Sequence, residues 1–292
     1  LKYLSKLLLF GEYTIINGSR ALAVPYDRYF GEWVKAEEPD ARLLGLAGYL
    51  DRNEGPDFLN VTAFRTACRE GWGFRSNIPL GYGLGSSGAL CAAVYDRFAI
   101  APVLRTDTAA FTELKRQLAW MESYFHGSSS GTDPLISYLN FPVLIHPQEG
   151  IREVAVPSME NNPYHFFLLD TGISRSTGPL VDLYLEKCKE EEYATRIATG
   201  FVPVVNQLID AYLQGRWPEV YDHMRSVSAF QWQHFPEMIP EAVRVVWERG
   251  LEQDRYVLKL CGAGGGGFLL GISKSKEAIE DLDRDFSCHF LP

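Results

Sequence analysis

Between Pro79 and Leu90 the chain reads PLGYGLGSSGAL, four glycines and two serines in one short stretch. Backbone with so little side-chain bulk can approach a ligand closely. The residues behind it, Ala89 to Ala99, predict a helix, whose start adds unpaired N–H donors and the positive end of a dipole. Together these make an anion site, most often one for phosphate. Gly83, Leu84, Gly85, Ser86, Ser87 and Gly88 would line it, and the two serine hydroxyls could bond a phosphate oxygen or a metal. A glycine-rich turn with a serine cap and no ligand accounts for the stretch equally well when it is taken alone. Two familiar phosphate motifs are excluded. Gly83 to Gly88 fits G-x-G-x-x-G, but a proline turn precedes it and the first acid after it, Asp96, comes too early for the ribose-binding carboxylate of a dinucleotide fold. No Gly-Lys-Ser/Thr follows, so it is not a Walker A loop either. Positive charge for a bound phosphate must therefore come from elsewhere in the chain.

Three other segments carry residues able to do chemistry. KLCGAGGGGFLLG, Lys259 to Gly271, places five glycines from Gly262 to Gly267 between two apolar runs. The runs predict strands joined by a turn, and the surplus of glycine over what a hairpin requires suggests backbone passing close to something. A flexible tip is the plainer alternative. Near the start, Lys6 comes just ahead of the apolar run Leu7 to Phe10, followed by Gly11, Glu12 and Tyr13, a second run Thr14–Ile16 and an Asn17-Gly18 turn. This reads as a β-rich start with Lys6 at a strand end. In the middle, Phe111, Leu114, Leu118, Met121 and Phe125 recur at helical spacing. Glu122 falls near the end of that helix, and Asp133 follows a loop of serine and glycine, His126 to Thr132, where an acid could sit open to a ligand. Taken singly, Glu122 reads as a surface acid and Asp133 as a turn residue before Pro134.

The elements that must position these groups fall into two parts. With 292 residues, 46% of them hydrophobic, the chain is long enough for two domains, each with its own core. Pro142, Pro147, Pro157 and Pro163 and a charged stretch mark a boundary between Phe141 and Tyr164, giving domains 1–155 and 156–292. The first would be an α+β layer of strands, serine loop and helices. The second would begin with a strand at Phe166–Leu169, continue through helices near Leu180–Ala194, Ala198–Leu213 and Pro240–Glu252, and end in the glycine hairpin. A net charge of −9 offers no general basic footprint, so nucleic acid is not an expected partner. No apolar run reaches the roughly 20 residues of a membrane span. The five cysteines, Cys68, Cys91, Cys188, Cys261 and Cys288, form neither a C-x-x-C pair nor a metal pattern, which fits reduced thiols in a cytoplasm. The first residue is Leu1 rather than methionine, so a segment ahead of it stays open.

The four segments together resemble the GHMP kinases, the superfamily of galactokinase, homoserine kinase, mevalonate kinase and phosphomevalonate kinase. The pattern runs in order over almost the whole chain: a lysine strand, P-x-G-x-G-L-G-S-S, an acidic helix and loop, and G-A-G-G-G-G. Within the superfamily the resemblance is strongest to the mevalonate kinases, whose E-x-x-x-H-G-x-x-S-G-x-D is similar to ESYFHGSSSGTD here, with the same spacing between the two acids. The resemblance implies a two-domain GHMP fold, with an N-terminal nucleotide-binding α+β domain, a ferredoxin-like C-terminal α/β sandwich and an active site in the cleft between them. It implies ATP and Mg²⁺ as cofactors and a small-molecule alcohol as acceptor. Asp133 matches the catalytic acid that accepts the hydroxyl proton, and Lys6 the lysine beside it. Glu122 and Ser87 match the Mg²⁺ ligands, and Gly83 to Gly88 the nucleotide-phosphate loop. Gly264 and Gly265 match the C-terminal loop that shapes the site, with Gly264 near the acceptor. Glu12, Tyr13, Arg175 and Thr177 match positions on the substrate side, the last two also reading as part of a polar loop.

The chain departs from the pattern in places. Tyr13 stands where mevalonate kinases usually have histidine after Gly-Glu, and Ser5 precedes the lysine in place of glycine. Ser228 to Val243 carries Trp232, His234 and Phe235 in place of a leucine-rich and glycine-valine-serine pattern. The expected activity is phosphorylation of mevalonate to phosphomevalonate. A sugar or sugar-phosphate kinase of the same superfamily, and a non-catalytic sensor of the same fold, stay open as alternatives, as does a homodimer.

Overall fold

The computed structural model describes residues 1–52, 56–175, 178–282 and 284–291. The first strand, β1 (Lys2–Phe10), is longer than its apolar run because its polar first half pairs with the far end of β2 (Ala21–Lys35), Lys2 opposite Glu32. Lys6 therefore lies inside the strand, opposite Pro25, not ahead of it. The segment between the two strands was expected to be β-rich, but Thr14–Asn17 is a single 3₁₀ turn. Gly11 at φ +101° and Gly18 at φ +90° bracket it, and both are left-handed turn conformations that end extended structure.

Helices α1 (Ala41–Arg52) and α2 (Val61–Arg69) lead to β3 (Trp72–Ser76), which pairs with β2. The serine-rich stretch opens α3 (Ser86–Phe98), so Ser86, Ser87 and Gly88 belong to the first turn of a helix that starts three residues earlier than expected. Every residue from Gly88 to Tyr95 is buried, and α3 packs against β1 and against α4 (Phe111–His126) and α5 (Thr132–Leu139). The α3–α5 approach requires glycine, since a Cβ on Gly88 would lie 2.7 Å from the Asp133 carbonyl carbon and from Pro134 N. Strands β4 (Val143–His146) and β5 (Gly150–Glu153) complete a five-stranded antiparallel sheet of order β1-β2-β4-β5, with β3 on the other half of β2.

The second sheet draws its strands from the rest of the chain. After β6 (His165–Asp170) come α6 (Gly178–Lys187), α7 (Glu191–Arg196), α8 (Val202–Leu213), α9 (Trp217–His234) and α10 (Glu241–Gln253). The helix expected over Leu180–Ala194 is thus two, and a wide π turn at Ile197–Phe201 precedes α8. Then follow β7 (Tyr256–Leu260), β8 (Phe268–Ser273), α11 (Lys276–Leu282) and β9 (Cys288–Phe290). The sheet is antiparallel with order β7-β8-β6-β9. All residues of β7 and β8 are buried, and α9 and α10 pack on β7. Strands with helices stacked beside them give the α+β architecture expected from the chain.

Candidate active site

Lys6 and Asp133 meet across the N-terminal domain. Lys6 Nζ lies 2.9 Å from Asp133 Oδ1, with the lysine side chain 7% and the aspartate 29% exposed. Strand β1 projects Lys6 inward, while Asp133 occupies the first turn of α5, next to Pro134, a residue tolerated in a first helical turn. A helix there was not anticipated, and it fixes the carboxylate far more firmly than a loop would. The glycine stretch touches both groups. A Cβ on Gly85, at φ +76°, would fall 3.1 Å from Asp133 Cβ and 3.3 Å from Lys6 Cγ. The Lys6 backbone N–H donates to the Leu84 carbonyl at 3.0 Å, pinning the loop to β1, while the Leu84 side chain is buried.

Glu122 reaches the start of α3 from α4. Its Oε1 accepts from Ser87 Oγ at 2.8 Å and its Oε2 from Ser129 Oγ at 2.5 Å. His126 Nε2 stands 2.9 Å from Ser87 Oγ. With the Ser87 proton given to Glu122, the hydroxyl can only accept from His126, which assigns the imidazole proton to Nε2. Glu122 is 4% exposed, and burial, reinforced by the charge of Asp133, pushes its carboxyl up to about 7. A cation would suit this spot. The donors, a carboxylate and a hydroxyl, are hard oxygens, and among the described residues no three His, Cys, Asp or Glu side chains gather into a metal cluster. Partial coordination of this kind matches Mg²⁺, which keeps several waters and shares phosphate oxygens rather than sitting in an all-protein cage.

The cleft beside these groups has a volume of about 390 Å³ and is lined by Gly83, Leu84, Gly85, Ser86, Ser87, Asp133 and Arg175, along with Arg42, Phe125 and His126. Gly83 and Gly81 also take left-handed conformations, and a Cβ on Gly83 would lie 2.8 Å from Arg175 Nη2. Arg175 reaches in from the loop after β6, its Nε 3.3 Å from the Gly266 carbonyl that accepts from it. Arg42 stands at the mouth, held by Asp40 Oδ2 at 2.7 Å and the Phe74 carbonyl at 2.5 Å. These two arginines and Lys6 supply the positive charge that the glycine stretch lacks.

Other expected site residues lie apart from the cleft lining. Glu12 is buried and paired with Lys259, and Tyr13 is buried with its hydroxyl on the Ala263 carbonyl. Gly264 packs onto Met238, since a Cβ there would come within 2.4 Å of the Met238 carbonyl oxygen. Gly265 faces Leu180 and the Arg175 stem. Glu12, Tyr13 and Gly264 thus lie where the N-terminal turn and the glycine hairpin press against each other. Thr177 lies outside the described residues. Sequence reasoning passed over Arg42, His126, Ser129, Gln231 and Lys259. His126, Ser129, Gln231 and Lys259 were inside stretches already singled out, whereas Arg42 carried no local signal at all.

The sequence model of the GHMP kinases N terminal domain matches residues 48–140, a span that holds the phosphate loop, Glu122 and Asp133. This part of the chain therefore matches a GHMP kinases N terminal domain, and that match together with the relatives below supports an ATP-dependent kinase of small molecules. Two relatives are both mevalonate kinases. That of Thermococcus onnurineus (strain NA1) is 24% identical over 310 residues, covering 94% of this chain and 89% of its own. That of Archaeoglobus fulgidus is 27% identical over 281 residues, covering 93% and 91%. Among solved structures, L. major mevalonate kinase in complex with R-mevalonate superposes with a TM-score of 0.65 at 16% identity, over 97% of this chain and 90% of that one. Among the described residues no helix is long and apolar enough to cross a membrane.

Proposed function

We propose that this chain transfers the γ-phosphoryl group of ATP to the hydroxyl of mevalonate. The observation that carries the chemistry is the Lys6–Asp133 pair, 2.9 Å apart, in contact with the left-handed Gly85 loop at the start of α3. The two mevalonate kinase relatives, aligned over more than 90% of this chain, support the acceptor.

Phosphoryl transfer asks a protein mainly for positioning and charge stabilisation. The amide groups at the start of α3 face the nucleotide phosphates, with Ser86 beside them. Asp133 accepts the proton of the acceptor hydroxyl through the oxygen that Lys6 does not hold. Lys6 stabilises the alkoxide that develops there and the charge on the transferring group. Arg175, half-buried between the hairpin and Gly83, faces an anionic part of either substrate. Mg²⁺ would be held by Ser87 and Glu122, where it supplies positive charge to the phosphates.

The test is ADP release from ATP and Mg²⁺ with mevalonate, phosphomevalonate, galactose, homoserine and sugar phosphates offered in parallel. Turnover with mevalonate well above the rest is expected. Turnover confined to a sugar would keep the kinase and refute the acceptor. No turnover with any of them, while ATP still binds, would refute both.

A further inference from the structure

The Gly-Glu-Tyr turn after β1 is buried against the glycine hairpin by groups that all point the same way. Glu12 Oε1 accepts from Lys259 Nζ at 2.8 Å and from Gln231 Nε2 at 2.7 Å. Lys259, 1% exposed, spends its other two protons on the carbonyls of Leu9 at 2.9 Å and Leu260 at 2.5 Å, so its ammonium is saturated. Gln231 Oε1 in turn accepts from the Leu260 backbone N–H at 2.8 Å. The Tyr13 hydroxyl donates to the Ala263 carbonyl at 2.5 Å. Tyr13 sits at φ +63°, a left-handed conformation unfavourable for a bulky side chain, and its ring is wedged between Tyr184 and Phe235 at 4.6 and 5.3 Å. A strained, buried tyrosine and a buried ion pair therefore join the first sheet to β7 and the hairpin of the second.

We infer that Glu12, Tyr13, Lys259 and Gln231 are positioning residues: a clamp that sets where the hairpin presents Gly262, Gly265 and Gly266 to Arg175, and through Arg175 to the phosphate loop. The geometry downstream fits. Cβ atoms built on Gly262 and Gly265 would lie 3.2 Å from Arg175 Nη2 and 3.4 Å from its Cδ, and the Gly266 carbonyl accepts from its Nε. A shift of the hairpin by a fraction of an ångström would thus displace the guanidinium that borders Gly83. Glu12 spends its contacts on Lys259 and Gln231, and Tyr13 its hydroxyl on the Ala263 carbonyl, so the clamp acts on catalysis through the hairpin. The catalytic consequence rests on the kinase reading above, whereas the clamp itself can be tested without turnover.

The experiment is a double-mutant cycle of Glu12→Gln, Lys259→Met and the two combined, read by thermal unfolding and by kcat and acceptor KM, with Tyr13→Phe alongside. Removing one partner strands a buried charge, so each single variant should lower Tm by about 6 °C or more, and the double variant should recover most of it. Tyr13→Phe deletes one hydroxyl and leaves the ring packing in place, so it decides the matter should the charge variants fail to fold. It should lower kcat severalfold while acceptor KM moves less than about twofold. The clamp is overturned if the Tm losses of Glu12→Gln and Lys259→Met simply add. Its catalytic role is overturned if Tyr13→Phe raises acceptor KM about tenfold with kcat intact, the mark of direct acceptor contact. Failure of the kinase reading would show as absent turnover in every form, with the Tm cycle still deciding the clamp.

Discussion

Replacing Glu122 by Gln isolates the electrostatic demand of the Ser87 corner. The carboxyl has an ordinary value of 4.5 and is pushed to about 7 by burial and by Asp133. A carboxyl raised in the folded state is protonated there while the unfolded chain has already released its proton. Between pH 4.5 and 7 the folded form therefore binds more protons, and stability falls as pH rises. The loss is complete above pH 7 and amounts to about 3 kcal/mol, at 1.36 kcal/mol per pKa unit. Gln is nearly isosteric, keeps an acceptor and a donor for the hydroxyls of Ser87 and Ser129, and does not ionise. At pH 5 without metal, wild type and Glu122→Gln should melt at nearly the same temperature. At pH 8 the variant should melt higher, by about 6 °C or more. Adding Mg²⁺ and a non-hydrolysable ATP analogue at pH 8 should stabilise the wild type more than the variant, closing the gap. Calorimetry at pH 5 and pH 8 checks this. A Tm difference that stays constant from pH 5 to 8 would refute the claim that Glu122 is ionised against its surroundings, and an equal Mg²⁺ response would remove it from the metal site.

Asp133→Asn removes the base but keeps the shape of the first turn of α5, so it should bind ATP within a few-fold of wild type and lose about 10³-fold in kcat, measured by a fluorescent nucleotide and by ADP release. Near-normal turnover in that variant would exclude the assigned role. Lys6→Met leaves the Asp133 carboxylate without its 2.9 Å partner, and should lower kcat by about 10²-fold or more with a smaller change in ATP KM, seen in a steady-state titration. Gly85→Ala puts a Cβ 3.1 Å from Asp133 Cβ at φ +76°, so it should cost about 1–2 kcal/mol of stability in urea unfolding and weaken ATP binding in the same preparation.

What sequence pattern could reach depended on how local the determining physics was. The α4 helix was legible because Phe111, Leu114, Leu118 and Met121 repeat at helical spacing and all four are buried. The glycine hairpin was legible because its two flanks are apolar strands. The start of α5 was not, since its short run TDPLISYL follows serine and glycine and its helix is secured by packing on α3. Thr14–Ile16 misled for a similar reason. Its apolar residues suggest a strand, but the left-handed glycines on either side force a turn that docks on the segment before α8.

For the site, the sequence by itself determined the chemical parts: a glycine-rich helix start with two serines, a lysine, two acids at fixed spacing and a second glycine run. These are properties of residue type and short-range order, which backbone sterics and helix geometry translate directly. Only the tertiary structure decided who meets whom. It set Lys6 against Asp133 across 127 positions, gave the Ser87 hydroxyl to Glu122, and turned Glu12 toward Lys259 in the other sheet. A carboxylate looks the same in sequence whether it faces substrate or a buried ammonium. The difference lies in burial and in long-range partners, and those exist only once both sheets have packed.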